Sequence, residues 1–348
     1  MHMKTIFTII LLFAFFLFCS KDISSVHEKE PIVPADTIWE KVSSYPESYV
    51  YNLAVNSMDY IFAGSMGGIY LSKDYGLSWD LVNPIGSASV ISINPYTNYI
   101  YIAGFFVMNG WIQYSTDNGI NWRSPSQFPY SNCIKCYVFS PYKIIFAGSV
   151  FLDESWGGVY YSQDDGDKWE KTSLDPDISV FSLMLTNNHT LLAGTFQLKN
   201  SVTFGEIYRS VDRGKTWHKV TTGIKYYVQC FAMDSNSNIF AGALGSGIYS
   251  SNNDGVSWEF VGLDSHYVES ILIDKYDNLF VTSCTEFGNL NLGVFCSSDL
   301  GTTWQRIELG LPEPRVWRFA IDSEDYLYAG TYGYGLYRSR KKSIELIN

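Results

Sequence analysis

The chain of 348 residues is long enough for one large domain or two ordinary ones, and 46 % hydrophobic against 17 % charged residues give it enough apolar surface to bury a core. Lys and Arg number 24 against 35 Asp and Glu, and the net charge of −11 argues against nucleic-acid binding because too few cations are present to neutralise phosphates. Phe, Trp and Tyr make up 17 %, which suits strands better than helices, while five His with no pair at metal-ligand spacing give no basis for a zinc site or another cofactor.

Lys4 precedes an apolar run from Ile6 to Phe18. This run fits the core of an export signal and is shorter than the roughly 20 residues a membrane-spanning helix needs. It stops at Cys19, which is followed by Ser20, Lys21 and Asp22. The pattern resembles a bacterial lipoprotein signal of the looser Bacteroidota type, with Phe18 where a small residue is usual. The resemblance implies that residues 1–18 are a signal peptide, that Cys19 is acylated, and that the only tie to a membrane is this lipid. Residues 19–36 are polar and carry Pro31 and Pro34, which reads as a linker. The expected location is the outer membrane or cell surface, with the periplasm as the alternative.

Residues 37–42, with Trp39 at their centre, read as a lone strand. After them the chain repeats one grammar. An apolar strand opens each unit, as in Val50–Val55, Val228–Met233, Val268–Ile273 and Val316–Ile321. A second ends in Ala-Gly, as in Ile61–Gly64, and a third reads Gly-Ile-Tyr-Leu-Ser, as in Gly68–Ser72. A box Ser-x-Asp-x-Gly-x-x-Trp then turns the chain into a fourth strand. The box Asp residues are Asp74, Asp117, Asp164, Asp212 and Asp299, and Asn253 takes the place in the fifth copy. The box Trp residues Trp79, Trp122, Trp169, Trp217, Trp258 and Trp304 follow one another at 43, 47, 48, 41 and 46 residues. Four short strands per repeat of this length make one blade of a β-propeller. The last unit, Arg315 to Ser339, has three strands and no box, so residues 37–42 are expected to supply its missing strand. The reading is an all-β, seven-bladed propeller of four-stranded antiparallel blades over residues 37–340, the last blade closed by the N-terminal strand, with residues 341–348 as a tail.

These boxes resemble the Asp-box, or bacterial neuraminidase repeat, propellers over residues 37–340. In that family the box is the turn between third and fourth strands, and its Asp accepts turn N–H groups. Asn253 accepts such bonds equally well and is neither a carboxylate base nor a strong metal ligand, so the boxes read as structural. Five cysteines follow Cys19, namely Cys133, Cys136, Cys230, Cys284 and Cys296, and they read as buried structural thiols.

The face opposite the boxes carries connections of uneven length, long at Phe105–Gly110, Ser149–Trp156, Thr195–Phe204 and Ser283–Leu292. Such variation on a regular scaffold is where binding resides. Trp111 and Trp156 stand at these loops, with the acids Asp153, Glu154 and Glu286. Aligning the first strands adds a ring of Tyr51, Ser89, Lys135, Phe181, Gln229, Glu269 and Trp317 at the channel mouth, with Arg318 next in line. The expected ligand-binding residues are Tyr51, Lys135, Glu269, Trp317, Arg318, Trp111 and Trp156, the ligand a glycan or a protein, and the chain a monomer.

Sialidases clamp their substrate with three arginines, one of them in Arg-Ile-Pro. That motif is absent here, and only Arg315 and Arg318 of the eight arginines lie near the ligand face. The expectation is a non-catalytic binding propeller. One alternative is a glycoside hydrolase, since the repeats are similar to those of xyloglucan-active Asp-box enzymes. Another is an assembly factor, by similarity to the photosystem II assembly propellers.

Overall fold

The structure is a computed structural model that describes residues 37–347, apart from 107–108, 129–132, 151–156, 200–201, 285–292 and 313–315. The signal, Cys19 and the linker therefore lie outside the described residues.

Seven antiparallel sheets form a ring, six with four strands and one with three. The inner strands are Asn52–Val55, Ala88–Ile93, Cys133–Phe139, Ser179–Leu185, Val228–Met233, Tyr267–Ile273 and Val316–Ile321. In the three-stranded blade the outer position is reduced to a bridge between Tyr114 and Arg123. In the last blade it is filled from the other end of the chain. Trp39–Lys41 pairs with Leu336–Lys342, Trp39 opposite Ser339 and Lys41 opposite Tyr337. The Trp39 indole donates to the Ile307 carbonyl at 2.5 Å and is 1 % exposed, so this short strand is anchored by its ring more than by its ladder. Beyond residue 340 the chain stays on the ring: the strand runs to Lys342, and a 3-10 turn, Ser343–Leu346, buries Leu346.

Both faces of each blade are covered by neighbours, which is why second strands such as Ile61–Gly64 are buried throughout and do not alternate. Seven apolar clusters result, one at each junction between blades. The closing glycine of the second strand sets the spacing. A Cβ on Gly242 would lie 2.4 Å from Val268 of the next blade, and one on Gly330 2.6 Å from Val50.

In the boxes the Asp carboxylate accepts from the Ser two before it and from the N–H four after it, as Asp212 does from Ser210 and Thr216, both at 2.8 Å. Asn253 makes the same pair of bonds with Ser251 and Ser257. A second repeated turn joins first and second strands on the same face. Its head is a buried Asn56, Asn94, Ser140, Thr186, Asp234, Asp274 or Asp322. The head side chain accepts N–H groups of its own turn, as Asp274 does from Tyr276 and Asn278, both at 2.9 Å. Among the described residues, six of the seven junctions are then tied turn to turn. The ties are Ser57–Asn98, Tyr142–His189, Asn187–Ser237, Ser235–Asp277, Lys275–Asp325 and Ser323–Asp59. The untied junction has Pro95 and Lys143 at those places. Inside this girdle the channel opens into a funnel of ≈ 550 Å³, lined by the ends of inner strands, including Leu53, Ile91, Ser92, Leu183 and Phe319.

Candidate functional site

The opposite mouth of the channel is shaped by β-bulges. Ser89, Lys135, Phe181, Gln229, Glu269 and Trp317 are each passed over in the ladder between first and second strands. A bulge leaves one residue unpaired and re-aims its side chain, so the ring aligned from sequence has a backbone cause. Tyr51 holds the equivalent place, its N–H bonded to Gly64 O at 2.8 Å.

The structure brings Tyr51, Trp317, Arg318 and Glu269 together, with two rings the sequence reading missed. Tyr51 lies 5.6 Å from Trp317, Trp317 5.0 Å from Tyr332, and Tyr332 4.9 Å from Tyr49. All four rings are half-buried. Burial, with Tyr332, Tyr49 and Glu47 nearby, pushes the Tyr51 phenol well above its ordinary range, so it stays a neutral donor. A second aromatic group, Phe181, Phe196 and Tyr227, is closest at 4.6 Å between Phe181 and Tyr227. Tyr49 and Tyr227 stand just before the leading residues Val50 and Val228, and Tyr332 follows the second strand Tyr326–Thr331, so all three fall outside the alignment of first strands that located the rest.

Glu269 is 6 % exposed, and its carboxylate accepts from Gln229 Nε2 at 3.2 Å with Arg318 Nη1 at 4.0 Å. The same Arg318 nitrogen donates to the carbonyls of Glu269 and Trp317, both at 2.8 Å, which fixes the guanidinium against the indole's own backbone. Several oxygens in these blades are buried without a partner: Gln229 Oε1, Ser246 Oγ, Thr282 Oγ1 and Ser283 Oγ. Thr282 stands where Gly148, Gly194, Gly242 and Gly330 stand in other blades.

Lys135 sits on the same bulge ring in the third blade. Trp111 is half-buried against the core between the first two blades, over Gly104. Trp156, Asp153, Glu154, Glu286 and Arg315 lie outside the described residues. Two of the expected long loops are hairpins. Strands Ile100–Phe106 and Asn109–Ser115 stay paired to Phe106–Asn109, and Leu191–Lys199 and Val202–Ser210 to Lys199–Val202. Runs of β-formers such as Phe105-Phe106 continue the ladder beyond the ring. Cys133, Cys136, Cys230 and Cys296 are free thiols. Among the described residues no group of three His, Cys, Asp or Glu is placed to hold a metal ion. Among them, too, no helix is long and apolar enough to cross a membrane.

Residues 7–241 match the family described as the DUF6242 beta propeller domain. The chain belongs to that family. None of the curated proteins compared with it matches the sequence. Solved structures share its fold. The extracellular domain of BT4673 from B. thetaiotaomicron superposes with TM-score 0.66 at 15 % identity, over 88 % of this chain and 40 % of that one. A GH74 enzyme from Niastella koreensis gives 0.61 at 16 %, over 85 % and 43 %. YCF48 bound to D1 peptide gives 0.61 at 14 %, over 89 % and 97 %. This chain thus spans about two fifths of the first two. At such identities the likeness is one of fold.

Proposed function

We propose that this is an exported, lipid-anchored, non-catalytic propeller that binds a ligand at the channel mouth opposite the boxes, and that the ligand is a polypeptide segment. The observation that carries the reading is the packed group Tyr49, Tyr51, Trp317 and Tyr332 beside the fixed Arg318 guanidinium. Trp, Tyr and Arg in a preorganised, half-buried cluster are what protein-binding hot spots are made of. YCF48, of which this chain covers 97 %, is bound to a peptide in its solved structure, which agrees with the reading by analogy of fold.

The competing reading is a hydrolase, kept alive by the GH74 neighbour. A glycosidase needs two carboxyls about 5–9.5 Å apart, one of them free to move a proton. Glu269, the nominal candidate among the described residues, is committed to Gln229 and Arg318. Selection of peptides from a displayed library, alongside a glycan array and a polysaccharide hydrolysis screen, tests this. Trp317→Ala is expected to weaken the selected peptide at least tenfold, about 1.4 kcal/mol, and Glu269→Gln to leave most of the affinity. Turnover of a polysaccharide that Glu269→Gln abolishes without loss of binding would establish the hydrolase instead.

A further inference from the structure

The fifth box departs from the pattern by carrying Asn253, and that departure lies in the wall of a cavity of ≈ 250 Å³. The cavity sits on the box face at the junction of the fourth and fifth blades, away from the channel mouth. The residues at the third place of the seven first-to-second-strand turns set this junction apart. Elsewhere they are Met58, Tyr96, Tyr142, Tyr276 and Glu324, and here they are Asn188 and Asn236. With Asn187, Asn252 and Asn253 they line one wall with five side-chain amides, and Met233 adds an apolar surface.

The wall has no charge left to offer. Asp254 accepts from Thr186 and Thr190, both at 2.6 Å, and from Arg209 at 2.7 Å, so its carboxylate is neutralised and its acceptors are occupied. Asn187 donates to Ser237 at 2.8 Å, and Asn253 is held within its box. The side-chain amides of Asn188, Asn236 and Asn252 make no hydrogen bond to any described residue. All three are exposed, and each amide offers two donors and an acceptor, which matches hydroxyl groups that both donate and accept. The volume is below the roughly 300–1,000 Å³ of sites for drug-sized molecules, so it admits one ring.

We propose that this cavity binds a single neutral pyranose unit through Asn188, Asn236 and Asn252. The site is independent of the channel mouth and of the reading given to it. The test titrates protein carrying ¹⁵N-asparagine with methyl β-D-glucopyranoside, methyl β-D-galactopyranoside and methyl α-D-mannopyranoside, following the side-chain amide resonances. At least one glycoside is expected to shift them with Kd in the millimolar range, and Asn188→Ala/Asn236→Ala to raise that Kd at least tenfold. These two side chains make no hydrogen bond to any described residue and are exposed, so an unchanged melting temperature is expected of the double variant. Trp317→Ala is expected to bind the glycoside as the wild type does. If no glycoside shifts the amides at about 50 mM, where a Kd of a few mM would saturate the site, the proposal fails. It also fails if the double variant binds unchanged, or if Trp317→Ala abolishes binding and the double variant does not.

Discussion

Asp74, Asp117, Asp212 and Asp299 owe their acidity to the residue four places on. Hydrogen bonds from Ser78, Asn121, Thr216 and Thr303 hold these carboxyls below the usual range, Asp212 down to about 2. A carboxyl depressed in the folded state adds stability that is fully present above its unfolded value of about 3.9 and is lost as pH falls through the folded value. The melting temperature is therefore expected to fall between about pH 4 and pH 2 through these four sites. Asn253 shows that an amide can hold the same turn. Changing all four to Asn is then expected to flatten the acid limb of the profile, read by calorimetry from pH 2 to 7, and to cost little at neutral pH. An acid limb identical to the wild type would place the sensitivity elsewhere.

At the level of the element, the closing strand is short in hydrogen bonds and held by one buried ring. Trp39 packs with Phe280, Val294, Ile307 and Val316, and its ring stacks on Phe319 at 5.9 Å. Trp39→Ala is expected to cost about 3–5 kcal/mol in urea unfolding, the usual loss for a buried aromatic, and deletion of residues 37–42 to leave an edge that aggregates. A deletion variant that melts like the wild type would rule out the clasp. This closure was legible in sequence because Trp39 stands one period before Trp79. The boxes were legible for the same reason, since they repeat identities. The second turn was not, because Asn, Ser, Thr and Asp share only the ability to accept an N–H. The bulges leave no residue signature at all: Ser89, Phe181 and Glu269 have nothing in common beyond their place after a leading apolar residue. For the same reason the ring at the mouth was found and its partners Tyr49 and Tyr332 were not.

For the whole molecule, each apolar cluster belongs to two blades, so no blade holds a core of its own. The buried thiols report on this. Burial pushes Cys136 and Cys230 up to about 12 and Cys296 up to about 11, so none is a thiolate at neutral pH. These three, with Cys133, are expected to react with a thiol reagent only as the ring opens, with one common urea midpoint despite lying in three different blades. Separate midpoints would show that the ring comes apart blade by blade.

The pairing of Trp39 with Ser339 also has a mechanical meaning. The two strands run antiparallel, so the chain leaves the N-terminal side of one and the C-terminal side of the other at the same end of the pair. A pull between those two ends loads the ladder bonds one after another, as in opening a zipper, and never all at once in shear. A molecule held at its N-terminal side and tugged at its C-terminal side would yield at this clasp under low force, while tension applied across another blade would meet three or four strands at once.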